Sequence, residues 1–150
     1  FPQIRVLFFG QGPLEAELRA EVDALGLQTV VGFAGFRTDL PRILPCLDLV
    51  VHPALMEGLG ISLLQAAGAG VPIVASDAGG MPEVVHNGVN GLLVPPADVQ
   101  ALSAAMQRLL SDRELAARMG QAGAERVAAR FSVDAMVRGN LQVYRELLGG

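Results

Sequence analysis

The sequence predicts an α/β fold: a Rossmann-like, doubly wound parallel sheet of five or six strands with a helical C-terminal tail. Three observations predict it. Short apolar runs alternate with longer stretches at helical spacing, the pattern of parallel strands joined by crossover helices. Several of those runs end in a glycine-bearing loop. From Asp98 onward the pattern is helical to the end.

Ile4 to Phe9 (IRVLFF) reads as a buried strand ending at Gly10-Gln11-Gly12-Pro13. Pro13 suits a first helical turn. Leu14, Leu18, Val22 and Leu25 fall at helical spacing, and Gly26 is a helix stop. Thr29 to Phe33 is a second strand. Thr38-Asp39 caps a short helix reaching Cys46. Leu49-Val50-Val51 shows no alternation, so it reads as a strand buried on both faces. Met56 to Gly60 is a loop, Ile61 to Ala69 a helix and Pro72 to Ala75 a fourth strand. Pro82 to His86 is a helical turn, and Asn87-Gly88 a turn dipeptide. Gly91 to Val94 is a fifth strand, closed by Pro95-Pro96. Helix breaks fall near Ser111-Asp112 and Phe131-Ser132, with Ser132 capping a final helix over residues 132–148.

The 150 residues suit one domain with one core. Charged residues are 17%, below the typical ~25%, so the chain is too apolar to be disordered. Glycine, proline or charge interrupts every apolar run before the ~18 residues of a membrane span. No signal peptide is visible, and an opening on Phe1 marks a piece of a longer protein. A net charge of −4 with no dense basic run argues against nucleic acid as a partner. All 11 basic residues are arginine, which excludes a Walker-type or Schiff-base lysine within the chain. The single Cys46 excludes an internal disulfide and reads as a buried, inert thiol. His52 and His86 are too isolated for a zinc site. A reducing, cytoplasmic location fits.

Ligands of open parallel sheets bind beyond the carboxyl ends of the strands. Three glycine loops are expected on that rim: Gly10-Gln11-Gly12, Glu57-Gly58-Leu59-Gly60 and Asp77-Ala78-Gly79-Gly80. The second leads into a helix N-terminus at Ile61, whose free N–H groups and dipole suit an anion. Gly58 and Gly60 leave the backbone open to a ligand. Glu57 would repel phosphate and so suits hydroxyl groups. Gln65 can lean back over the same cleft. A nucleotide-sugar fits this combination. Taken singly, the glycine loop also reads as tight packing, Glu57 as a solvated loop residue and Gln65 as a surface residue.

The stretches Glu57-Gly58-Leu59-Gly60-Ile61-Ser62-Leu63-Leu64-Gln65-Ala66 and Gly70 to Val85 (GVPIVASDAGGMPEVV) resemble the C-terminal domain of family 4 retaining glycosyltransferases. So do Gly10-Gln11-Gly12-Pro13-Leu14, Gly35-Phe36-Arg37, Asn90 to Pro96 (NGLLVPP) and Arg130-Phe131-Ser132. The resemblance implies the C-terminal half of a GT-B fold. That half binds a nucleotide-diphosphate-sugar donor as substrate, with no metal and no other cofactor. It implies a catalytic role for Glu57, the first Glu of the family's Glu–seven residues–Glu motif, on the donor sugar. Gly58, Leu59, Gly60 and Ile61 match the loop whose amides hold sugar and phosphates. The second Glu, on the ribose hydroxyls, falls at Gln65. Gly35, Phe36 and Arg37 match the segment near the nucleobase, and Gly10 and Gly12 join the donor-binding set. The activity implied is hexosyl transfer to a polysaccharide, lipopolysaccharide or glycolipid acceptor, as in bacterial cell-envelope glycan synthesis.

Two departures qualify the match. Gln65 offers one accepting oxygen where a carboxylate offers two, a loss of ~1–2 kcal/mol in ribose binding. The family's Arg and Lys that clamp the diphosphate fall ahead of Phe1, as does the N-terminal acceptor-binding domain. The isolated chain is therefore expected to be inactive, and any contact with the inner membrane to run through the missing part. The alternative is a degenerate, non-catalytic GT-B module that binds a nucleotide or a protein partner. A sugar-nucleotide epimerase is a third reading, against which the Glu57 to Gly60 spacing speaks.

Among smaller candidates, His52 reads as a packed strand-end histidine in preference to a contact near the sugar. Arg37 is either stacked on a base or solvated. Asp77-Gly79-Gly80 is an anion nest or a plain turn. Met136, Val137, Leu141, Tyr144 and Leu148 make an apolar stripe on the final helix.

Overall fold

The computed structural model describes residues 1–149. They form two compact units, divided between Leu40 and Pro41. The five strands are all parallel, in a two-stranded ladder (order β1-β2) and a three-stranded one (order β3-β4-β5).

The first unit contains β1 (Val6–Phe9), α1 (Glu15–Ala24) and β2 (Val31–Gly35). α1 ends as its sequence requires. Gly26 takes φ +67°, its N–H donates to Asp23, and the Leu27 N–H donates to Val22, which closes the helix in a Schellman motif. Phe8 and Phe33 face one another across the ladder, stacked with centroids 5.2 Å apart. The Arg19 guanidinium lies 4.2 Å from the centre of the Phe33 ring. One expectation fails here: β1 is not a buried strand. Leu7 and Phe8 of β1 are exposed, and no residue of α1 is buried; Leu14, Leu18 and Leu25 all reach solvent. One helix and two short strands are too little structure to enclose an apolar stripe.

The second unit holds the core. β3 (Val50–His52), β4 (Ile73–Ser76) and β5 (Leu92–Val94) run side by side. β4 is central and buried along its whole length. β3 is only half-buried rather than covered on both faces, because it is an edge of its ladder. Two short pieces precede β3: α2 (Leu40–Ile43) and a 3-10 turn, Leu44–Cys46. Leu44 takes the buried position of that turn, which leaves Cys46 exposed rather than buried.

α3 (Ile61–Gly68) packs on β3 and β4, and α5 (Val99–Ser111) on β4 and β5. Between β4 and β5 lies α4 (Met81–Val84). α6 (Arg113–Arg130) touches both α3 and α5. Val74, Leu92 and Val94 meet Ala105, Leu109 and Met119 in one cluster. α6 reaches α3 through small residues: Gly123 faces Ala67, and Gly120 abuts the Gly70 carbonyl so closely that a Cβ there would overlap it. The buried Asn90 ties the loop before β5, donating to Val84 at 2.9 Å and accepting from the His86 N–H at 2.6 Å.

The tail follows its caps. Asp98 accepts from Ala101 N–H at 2.8 Å, Asp112 from Leu115 at 2.9 Å and Ser132 from Ala135 at 3.2 Å. Each such cap contributes ~1 kcal/mol to a helix start. These three residues divide the tail into α5, α6 and α7 (Val133–Leu148) where the sequence places the breaks. α7 buries none of its residues, and its apolar stripe is exposed.

Candidate functional site

The rim at the carboxyl ends of β3 and β4 carries two loops, Glu57 to Gly60 and Asp77 to Gly80. They press against each other. The Gly80 N–H donates to the Glu57 carbonyl at 3.1 Å. A Cβ on Gly79 would overlap the Glu57 carbonyl oxygen, and one on Gly80 the Gly58 carbonyl oxygen. Gly79 also sits at φ +56°, a left-handed backbone that side chains resist. Both glycines therefore serve a contact between backbones. The nest reading of Asp77-Gly79-Gly80 gives way to this one.

Glu57 is half-buried. Its Oε1 accepts from the Gly58 N–H at 2.9 Å, and its Oε2 lies 3.2 Å from His52 Nε2. An ionised carboxylate can only accept, so Nε2 carries the proton in this contact. Each oxygen keeps a further lone pair, and the side chain remains 37% exposed. The result is a carboxylate held on two sides and open to hydroxyl donors on another. His52 is thus more than a packed strand-end residue. The signal available in sequence was its place at a strand end, on the rim that carries the Glu57 loop.

Gly60 precedes α3 at φ +76°, and no side chain caps that helix. The Leu63 and Leu64 N–H groups close on the Gly60 carbonyl at 2.9 and 3.1 Å. The amides ahead of them have no partner within the helix, and the dipole adds positive character there. Leu59 and Ile61 are exposed at this turn. Gln65 is exposed one turn further along the face that carries Ile61. Glu57, Gly58, Leu59, Gly60, Ile61 and Gln65 are therefore gathered at one helix start.

Gly10, Gly12, Gly35, Phe36 and Arg37 lie in the first unit. The Gly10 N–H donates to the Gly35 carbonyl at 2.8 Å. Both glycines have positive φ, +110° and +65°, beside a slip in register that sets Phe9 against Gly35. The Gly12 carbonyl accepts from the Glu15 N–H at 3.2 Å, opening α1. A cavity of about 290 Å³ lies here, lined by residues including Phe9, Gly10, Gly12, Leu18 and Phe33. Phe36 is 70% exposed.

Arg37 grips Asp39 with two hydrogen bonds, at 2.8 and 2.6 Å, and its side chain stays exposed. Its hydrogen bond holds the Asp39 carboxyl below the ordinary 3.8, and Asp39 raises the guanidinium pKa in turn. Because the Asp39 pKa is depressed on folding, the pair contributes fully above 3.8 and is lost as pH falls through the lower folded value. An NMR titration of the Asp39 carboxyl carbon is expected to find its midpoint below 3.8, and Arg37→Ala to restore the ordinary value.

Among the described residues, no group of three or more His, Cys, Asp and Glu side chains is placed to hold a metal. No helix there is long and apolar enough to cross a membrane.

A family model described as glycosyl transferases group 1 matches residues 1–126. The chain is 34% identical over 140 residues to the alpha-D-kanosaminyltransferase of Streptomyces kanamyceticus, covering 92% of this chain and 36% of that protein. It is 33% identical over 136 residues to the lipopolysaccharide core biosynthesis mannosyltransferase LpsB of Rhizobium meliloti, covering 89% and 39%. The crystal structure of Anabaena HepE in complex with UDP-glucose matches with a TM-score of 0.87 at 31% identity, over 100% of this chain and 42% of that one. The chain spans about two-fifths of the length of these relatives. Its α/β architecture is the Rossmann-like half of a GT-B fold, and the chain belongs to the glycosyl transferases group 1 family.

Proposed function

We propose that residues 1–150 are the donor-binding domain of a retaining, metal-independent family 4 glycosyltransferase that takes a nucleotide-diphosphate-hexose. The observation that carries this is the Glu57 carboxylate, pinned yet open, beside the uncapped start of α3. HepE, similar over the whole chain, has been crystallised with UDP and with UDP-glucose. On this reading Glu57 orients the sugar through its hydroxyls. The amides at Leu59 to Ile61 receive the diphosphate, and Gln65 holds the ribose.

The chemistry is then electrostatic. As the bond from anomeric carbon to diphosphate breaks, negative charge grows on the leaving group. Preorganised amides and the α3 dipole stabilise that charge without reorganising. Transfer further needs the cationic pair and acceptor domain that the resemblance places upstream, so this chain alone is inactive. The acceptor is a polysaccharide, lipopolysaccharide or glycolipid, and the enzyme works in the cytoplasm.

Calorimetric titration with UDP, GDP, ADP and their hexose conjugates tests the reading. One nucleotide class is expected to bind. Glu57→Ala should weaken the nucleotide-sugar about tenfold and the bare nucleotide little, the loss of charged hydrogen bonds to hydroxyls. Gln65→Glu should tighten both by about fivefold to tenfold, through charge-assisted bonds to the ribose. A chain that binds no nucleotide even with Gln65→Glu is the non-catalytic, partner-binding module instead.

A further inference from the structure

Three contacts restrain Glu57. The Gly80 N–H fixes its backbone at the carbonyl. The Gly58 N–H holds Oε1. His52 holds Oε2. Two of these are backbone N–H groups, one in the same loop and one in the loop after β4. His52 is the one side chain among them, and its backbone is held by the sheet. It is the last residue of β3, paired in register with the buried Ala75 of β4. Pro53 follows it and confines it to extended backbone. The Cα–Cβ bond of His52 therefore leaves the strand end in a set direction, and its Nε2 lies 3.2 Å from the loop glutamate.

A glutamate held only at Oε1 can still swing about that contact. A second donor on Oε2 fixes the plane of the carboxylate, and with it the direction of the lone pairs left free. We propose that His52 is a positioning residue: its Nε2–H sets the orientation in which the Glu57 carboxylate meets the donor sugar. His52 touches Glu57 and acts through it. The inference rests on the donor-site reading of Glu57 and adds the residue that determines its geometry.

The test is titration of the full-length protein with UDP, GDP, ADP, UDP-glucose, GDP-mannose and ADP-glucose. The quantity read is the ratio of nucleotide-sugar to nucleotide affinity, for wild type and for variants. His52→Ala is expected to lower that ratio about tenfold, the scale of one hydrogen bond to a charged group, with nucleotide affinity unchanged. His52→Phe keeps the bulk of the ring, drops the donor and should match His52→Ala. His52→Gln keeps an N–H donor at similar reach and should recover most of the loss. In the Glu57→Ala background, His52→Ala should weaken nothing further, since coupled residues are non-additive. An unchanged ratio in His52→Phe overturns the inference. So does an equal loss for nucleotide and nucleotide-sugar, or a loss that adds to that of Glu57→Ala. Failure of the wild type to bind any of the six overturns the donor-site reading itself, a result distinct from the others.

Discussion

Gly80→Ala is expected to weaken nucleotide-sugar binding by about tenfold or more while the chain stays folded. The backbone at Gly80 has an ordinary negative φ of −86°, so alanine meets no conformational objection. The objection is spatial. The new Cβ would overlap the Gly58 carbonyl oxygen and crowd Leu59. Both atoms belong to backbone, so no side chain can turn aside. The Glu57 loop must retreat, and the hydrogen bond from Gly80 to the Glu57 carbonyl goes with it. The loss is then at least that of the Glu57 hydrogen bonds to the sugar, about tenfold. The cluster around Val74, Leu109 and Met119 is built from other residues, and overpacking costs about 1–3 kcal/mol. A thermal melt and a titration on the same sample check both halves. Wild-type affinity in Gly80→Ala would remove the loop contact from the site.

Gly120→Ala and Gly139→Ala are expected to move stability in opposite directions. Both glycines are inside helices, where alanine is favoured by about 1 kcal/mol. Around Gly139, on α7, a Cβ would meet nothing within 4 Å, so the propensity gain stands alone. An increase of about 0.5–1 kcal/mol is expected. At Gly120, on α6, the same Cβ would overlap the Gly70 carbonyl oxygen. Gly70 is itself held at φ +74° in the turn between α3 and β4. Separating α6 from that turn opens the packing of Gly123 on Ala67 as well. A net loss of about 2–3 kcal/mol follows, since overpacking outweighs propensity. Urea unfolding of the two variants beside wild type decides it. A neutral Gly120→Ala would mean that α6 is not seated on the Gly70 turn.

The elements of this fold were legible in the sequence because local signals agreed with one another. Asp98, Asp112 and Ser132 each cap a helix where a break was expected, and Gly26 ends α1. Burial was less legible. Leu14, Leu18 and Leu25 have the spacing of a buried stripe and lie exposed, because periodicity says which face is apolar and not what covers it. Cys46 failed for a related reason: residue type sets an average burial, whereas a three-residue turn buries only the one side chain it points inward. In the site, the Glu57 loop and the start of α3 could be read from glycine spacing. The His52–Glu57 contact and the backing of one loop by Gly79 and Gly80 could not. Both join residues through space, and neither residue type announces its partner.

The two loops of the site flank a single crossover, β3–α3–β4. Their contacts join residues near in sequence, so closing them requires little loop entropy. α3 is packed against α6, with Gly123 on Ala67, only after β5 and the whole of α5 have been made. On a ribosome moving at ~5–20 residues per second, that interval lasts a few seconds. The binding end of this unit can take shape early, while an apolar helix face beside it stays uncovered. Chaperone demand during synthesis should therefore concentrate in the window before α6 emerges.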